Sequence, residues 1–157
     1  MKWVTRERRV IDRIACPWLI ARFIDKEPEF LFVSPDQVQK VAAETGAIPY
    51  DVPGVEYTHF GEGCSFDAFV GKHDLAKDPA IATIAAIVRG ADTDRHDLTP
   101  QSAGLLAISM GLRDLSTDDH EVLRHGFVIY DALYAWASGR KAEKHNWPPL
   151  GKVESTT

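Results

Sequence analysis

A mainly helical α+β domain is what the sequence predicts: five or six helices with a small two- or three-stranded antiparallel sheet. Three observations carry this. Three prospective helix starts pair a capping residue with proline, at Ser34-Pro35, Asp78-Pro79 and Thr99-Pro100. A stripe of Leu123, Phe127, Tyr130, Tyr134 and Ala137 keeps the spacing of one buried helix face. The β-prone runs are short and confined to the first sixty residues.

Taken in order, residues 4–13 mix basic and apolar side chains and read as a short strand or extended arm. Pro17 suits a first helical position, where a missing N–H costs nothing, so a helix is expected over 17–25, burying Trp18, Leu19 and Phe23. Residues 29–33, Glu-Phe-Leu-Phe-Val, are aromatic and β-branched and end at Ser34-Pro35, which makes them a strand. Ser34, Pro35 and Gln37 resemble cap, first turn and capping-box partner of a helix to about Glu44, with Gly46 as its stop. Residues 48–52 form a second strand, which Pro49 places at an edge. Pro53-Gly54 is a turn, and the alternating residues 55–59 are expected to pair back as a hairpin. Ser65 caps a helix to about His73, and Asp78-Pro79 opens one ending near Arg89-Gly90. Thr99-Pro100 opens another to Met110-Gly111, and Thr117 caps the last and longest, to about Gly139. Residues 1–140 are expected to be one domain and 141–157, with Pro148-Pro149, a polar tail.

Composition narrows the function classes. At 45% hydrophobic and 26% charged residues the chain is that of an ordinary globular domain, not a disordered one. A net charge of −5 disfavours nucleic acid as a partner, and the basic run Arg6, Arg8, Arg9 is short and broken by Glu7. No apolar run reaches membrane-spanning length and no secretory leader is visible, so a cytoplasmic protein is expected. Two cysteines, Cys16 and Cys64, read as free thiols in that setting. A homo-oligomer is compatible with everything so far.

The chemistry gathers in residues 56–67. His59, Glu62 and Cys64 are metal-ligand types at close spacing, and Gly61 and Gly63 let the backbone bend between them. The spacing matches no strong motif, and the competing reading has His59 ending a strand with its ring satisfied, a solvent-facing Glu62 and a small buried Cys64. A second dense cluster spans 89–97, where Arg89 and Arg95 could grip an oxyanion and Asp92 could bind a metal or orient His59. Its plain alternative is a polar loop laced with ion pairs. Asp131 borders the apolar stripe and needs a metal or a partner such as Arg13. Asp12 and Arg13 are a charged pair in apolar surroundings that either brace each other or point into a site.

Several of these runs together resemble a known family. Residues 12–25 and 30–33, Val55-Glu56-Tyr57-Thr58-His59 with Glu62-x-Cys64-Ser65-Phe66-Asp67, residues 87–92, residues 101–107 and Tyr130-Asp131-Ala132-Leu133-Tyr134-x-Trp136 are similar to the chromate-resistance protein family, in its ChrB C-terminal domain. The resemblance covers about residues 3–138. It implies an association with chromate resistance, in which ChrB regulates or senses the chromate-efflux system. Family proteins often carry an additional N-terminal segment, which this sequence does not show, so direct transcriptional regulation is not expected of it.

Together these readings give a polar pocket holding a divalent metal (zinc, iron or manganese), a tetrahedral oxyanion, or both. The metal ligands are expected among His59, Glu62, Asp92, Asp131 and Cys64, and the oxyanion on Arg13, Arg22 and Arg89, with Asp12 and Tyr134 behind them. The partner is thus a small inorganic anion or metal. A sensor or accessory protein is the leading expectation. A small metal- or thiol-dependent enzyme, reducing chromate or handling oxidative stress, is the rival.

Overall fold

A central strand comes first in the chain. In the computed structural model, which describes residues 1–8 and 10–140, β1 (Lys2–Arg6) lies between β2 (Glu29–Val33) and β3 (Ile48–Pro49). Both pairings are parallel, with Trp3 opposite Phe30 on one side and Ile48 on the other. This corrects the expected antiparallel sheet. Each connection between successive strands passes through a helix, and a crossover of that length returns the chain in the same direction. The expected hairpin over 55–59 is absent. Tyr57 makes only an isolated parallel bridge to Tyr50, and the rest of that stretch is irregular. Arg9 and the tail with Pro148-Pro149 lie outside the described residues.

Six α-helices accompany the sheet among the described residues. The first, α1 (Asp12–Leu19), is buried along its whole length and continues into a π-helical turn at Ile20–Ile24. It begins five residues before Pro17, which therefore sits inside it and leaves the Arg13 carbonyl without its helical donor. The apolar face around Ile14 and Trp18 outweighs that loss. α2 (Val38–Thr45) follows a 3₁₀ turn at Pro35–Gln37 and ends on Gly46 in the left-handed region, φ 73°. α3 (Ser65–Lys72) is capped by Cys64, one residue earlier than expected, with the Asp67 carboxylate accepting from the Cys64 N–H at 2.9 Å. α4 (Pro79–Asp92) opens as expected on Asp78, which accepts from the Ala80 N–H at 2.9 Å, and runs two residues beyond Gly90. α5 (Ser102–Leu115) and α6 (Asp119–Ala135) complete the set, with Asp118 rather than Thr117 capping the latter.

The sheet separates two apolar clusters. Trp3 joins the main core with Trp18, Phe66, Phe69, Ile81 and Tyr130, while Val4 meets Val38, Ala47 and Val52 on the other side, as alternation along a strand requires. α1 runs through the main core, packed on α3 and α6. Gly126 of α6 allows that approach, because a Cβ there would lie 2.4 Å from Ile14 Cγ2. No helix among the described residues is long and apolar enough to cross a membrane.

Candidate functional site

Burying α1 brings its first residue, Asp12, beside the start of α3 and the end of α4. The chain between β3 and α3 closes the remaining side. Asp51 turns it with φ 55°, a left-handed value uncommon for a residue with a Cβ, and its N–H donates to the Tyr57 carbonyl at 2.8 Å. Phe60 and Gly63 then exchange backbone hydrogen bonds around Gly61 (φ 52°), forming a tight turn with Glu62 exposed at its tip. That turn sets His59 immediately before it and Cys64 immediately after it.

Four segments therefore meet at His59. Its Nε2 lies 3.0 Å from Asp92 Oδ2, 3.5 Å from Asp51 Oδ1 and 3.6 Å from Asp12 Oδ2. Ser65 organises two of these acids: its N–H donates to Asp12 Oδ2 at 3.0 Å and its hydroxyl to Asp51 Oδ1 at 2.8 Å. Arg6 braces Asp51 from the other side, donating to its carbonyl and standing 3.4 Å from Oδ2. The Asp12 side chain is fully buried, and its Oδ1 receives no hydrogen bond. Ligand atoms of Asp12, Asp51 and His59 fall within 4.8 Å of one another, as do those of Asp12, Cys64 and Asp92.

The electrostatics follow from that crowding. Burial pushes the Asp12 carboxyl well above the ordinary carboxylate range, and the charges of Asp92 and Asp51 and a side-chain hydrogen bond with Asp92 push it further, against the lowering effect of the Ser65 N–H. His59 is raised by its hydrogen bond to Asp51 and by the charge of Asp92, with burial acting the other way. Two kinds of positive charge could settle the cluster: protons on Asp12 and His59, or a cation held by oxygen and imidazole donors.

The remaining expected residues divide clearly. Cys64 is buried against the cluster with its Sγ 3.4 Å from Asp67 Oδ2, and burial together with Asp12 and Asp67 pushes its thiol far up. Glu62 lines a neighbouring cleft of about 390 Å³ with His59, Arg89 and Arg95. Asp131 lies elsewhere, on α6, where Arg22 grips it with two bonds of 3.0 Å and Trp18 Nε1 donates at 2.8 Å. Arg13 pairs with Asp119 in the interior. Arg89 forks onto Asp67 at 2.6 and 2.9 Å, and the Tyr134 hydroxyl donates to Asp78. Each of the three arginines expected at an oxyanion thus faces a carboxylate. Asp51 and Ser65 were not foreseen as site residues. A carboxylate just ahead of Val-Pro-Gly was the available signal for Asp51, but its strand assignment concealed it.

Comparison with known proteins adds a lineage. The family model described as ChrB, C-terminal domain, matches residues 3–137. Protein ChrB of Cupriavidus metallidurans is 29% identical over 141 residues, covering 89% of this chain and 42% of that protein. The chain thus spans about two fifths of the length of the relative it matches. No solved structure matches it.

Proposed function

The chain belongs to the family of ChrB C-terminal domains, and on that premise we propose that it is a metal-holding domain of chromate resistance, acting in the cytoplasm as a sensor or accessory protein. Asp12, Asp51, His59 and Asp92 are the ligands in this reading. The observation that carries it is Asp12: a fully buried carboxyl with one oxygen that accepts no hydrogen bond from outside the acid cluster, held against Asp92 and Asp51. Ionised, such a group is costly to bury; without metal it is held neutral by a proton, and a divalent cation offsets the charge in the proton's place. Three carboxylates and one imidazole suit manganese or iron(II), with zinc as the competitor. Ser65 would hold Asp12 and Asp51 in place behind the ion, as partners of ligating carboxylates commonly do.

A metal-dependent enzyme is the second reading, favoured by the clefts that reach His59 from two sides. A bound ion would supply Lewis acidity there. The thiol-dependent version is weaker, because a buried Cys64 beside Asp67 resists forming the thiolate that such chemistry needs.

The test is metal analysis of the full chain purified without chelator. About one metal per chain is expected, falling at least tenfold in His59→Ala and in Asp12→Asn. Metal-free wild type that takes up neither Mn²⁺, Fe²⁺ nor Zn²⁺ on titration would overturn the proposal. Chromate consumed catalytically with ascorbate as reductant, and lost in His59→Ala, would move the assignment from sensor to enzyme.

A further inference from the structure

The outer face of α5 carries a pattern that nothing in the chain's own fold requires. Residues 102–112 are eleven positions without a charge, although α5 is packed on α4 and α6 and exposes its other side. On that exposed side Gly104, Ile108, Gly111 and Leu115 stand in one line, spaced by four, three and four residues. We infer that this line is the contact between two copies of the chain, packed α5 against α5, antiparallel, about a twofold axis.

Shape complementarity singles out a second copy as the occupant. Bulky and bare positions alternate along the line, and reversing the helix exchanges them. An axis between Ser109 and Met110 sets Leu115 over the partner's Gly104 and Ile108 over the partner's Gly111, and symmetry repeats both pairings. Ile108 is 49% exposed and Leu115 85%, so both are free to insert.

The glycines point the same way. Neither has a positive φ, and among the described residues a Cβ at either would meet no atom within 4 Å. Gly90 and Gly126 differ, because Ser102 and Ile14 crowd them from within the chain. A helical glycine is less favourable than alanine, so one with open space above it lacks an internal reason. A second helix lying close over it supplies that reason. Charge agrees. In this register the exposed Asp114 comes beside the first turn of the partner's α5, the end of a helix that favours an acid. The apolar surface also continues past the line: Leu115 and Val128 border a groove of about 410 Å³ between α5 and α6, with Leu112, Val122 and Ile129 in its walls.

Sedimentation equilibrium of the full chain tests the inference. A reversible dimer, twice the 17.5 kDa of the chain, is expected. Gly111→Ile, which has room in the single chain, and Leu115→Glu should each weaken it at least tenfold. Adding Ile108→Ala to Gly111→Ile exchanges bulky and small positions and should recover most of that loss. Thermal melts at a dilution where wild type is monomeric report that the variants fold; should Gly111→Ile not fold, Leu115→Glu decides alone. Wild type that stays monomeric up to about 1 mM overturns the inference and leaves the face to a different protein. A dimer that the single substitutions leave intact overturns it as well, placing the contact on another surface. Failure of the exchange to restore the dimer overturns the antiparallel register.

Discussion

Replacing Asp12 by Asn should stabilise the metal-free protein and weaken the metal-loaded one. The amide keeps an oxygen for the Ser65 N–H and gives its NH₂ to the neighbouring acids, while removing a charge from a site that holds two other carboxylates. At an effective dielectric of about 20, two charges within 4.8 Å of each other repel by at least roughly 3.5 kcal/mol. The cost is capped, because the carboxyl can take up a proton instead. From an unfolded-state pKa near 3.9, protonation at pH 7 costs at most about 4 kcal/mol. Subtracting about 1 kcal/mol for an imperfectly matched amide leaves a gain of about 2–3 kcal/mol. At this chain length that is roughly 4–12 °C in Tm. The sign with pH is fixed by the raised folded-state pKa. The Asp12 contribution to wild-type stability is fully present below about pH 4 and is lost as pH rises through the folded value, so the variant's advantage should grow from pH 4 to pH 8. Added Mn²⁺ at about a thousandfold over its Kd stabilises wild type by about 4.1 kcal/mol and the variant hardly at all, reversing their order. Calorimetric melts at the two pH values, with and without Mn²⁺, read all of this. A variant that melts below wild type without metal at both pH values would refute the reasoning, since Asp12 would then be simply the fixed partner of the Ser65 N–H.

Two further outcomes follow from the packing and from the ion pairs. A Cβ at Gly90 would lie 2.2 Å from Ser102 Oγ and 3.0 Å from the Arg95 carbonyl, so Gly90→Ala must part α4 from α5; a loss of about 1–3 kcal/mol is expected as a lower urea midpoint at unchanged m-value. The Asp131 carboxyl is held below its ordinary value by Arg22 and also by Trp18, so its contribution is present above about pH 4 and lost as pH falls through the depressed value. With both partners nearly half exposed (42% and 48%), the pair is worth less than about 1 kcal/mol. Asp131→Asn should therefore flatten the acid limb of the stability curve slightly and leave metal content unchanged; a loss of metal would make Asp131 a ligand after all.

Much of the helical frame was readable because its signals are local. Asp78-Pro79 marks a helix start by what one residue accepts and the next cannot donate, and no distant contact is needed to see it. The sheet was not readable in the same way. Whether residues 48–52 pair with their sequence neighbours or with β1 is decided by where α2 sends the chain, and Lys2–Arg6 shows nothing locally of its central position. The site divides along the same line. His59 and Asp92 stood out as polar residues in structured surroundings, and the structure places them 3.0 Å apart. Asp51 did not, since its role depends on a left-handed backbone that a non-glycine residue does not advertise. Asp131 misled for a related reason: helical spacing places it beside a buried stripe but does not show that Arg22 waits on another element.

The strand order β2-β1-β3 bears on how the polypeptide acquires its shape during synthesis. The middle strand leaves the ribosome before either flank, so each newcomer adds to the outside of what already exists and nothing must be wedged into a finished ribbon. Translation and assembly run in the same direction, and a pause between residues 33 and 48 leaves a two-stranded seed with the free edge of β1 waiting for β3.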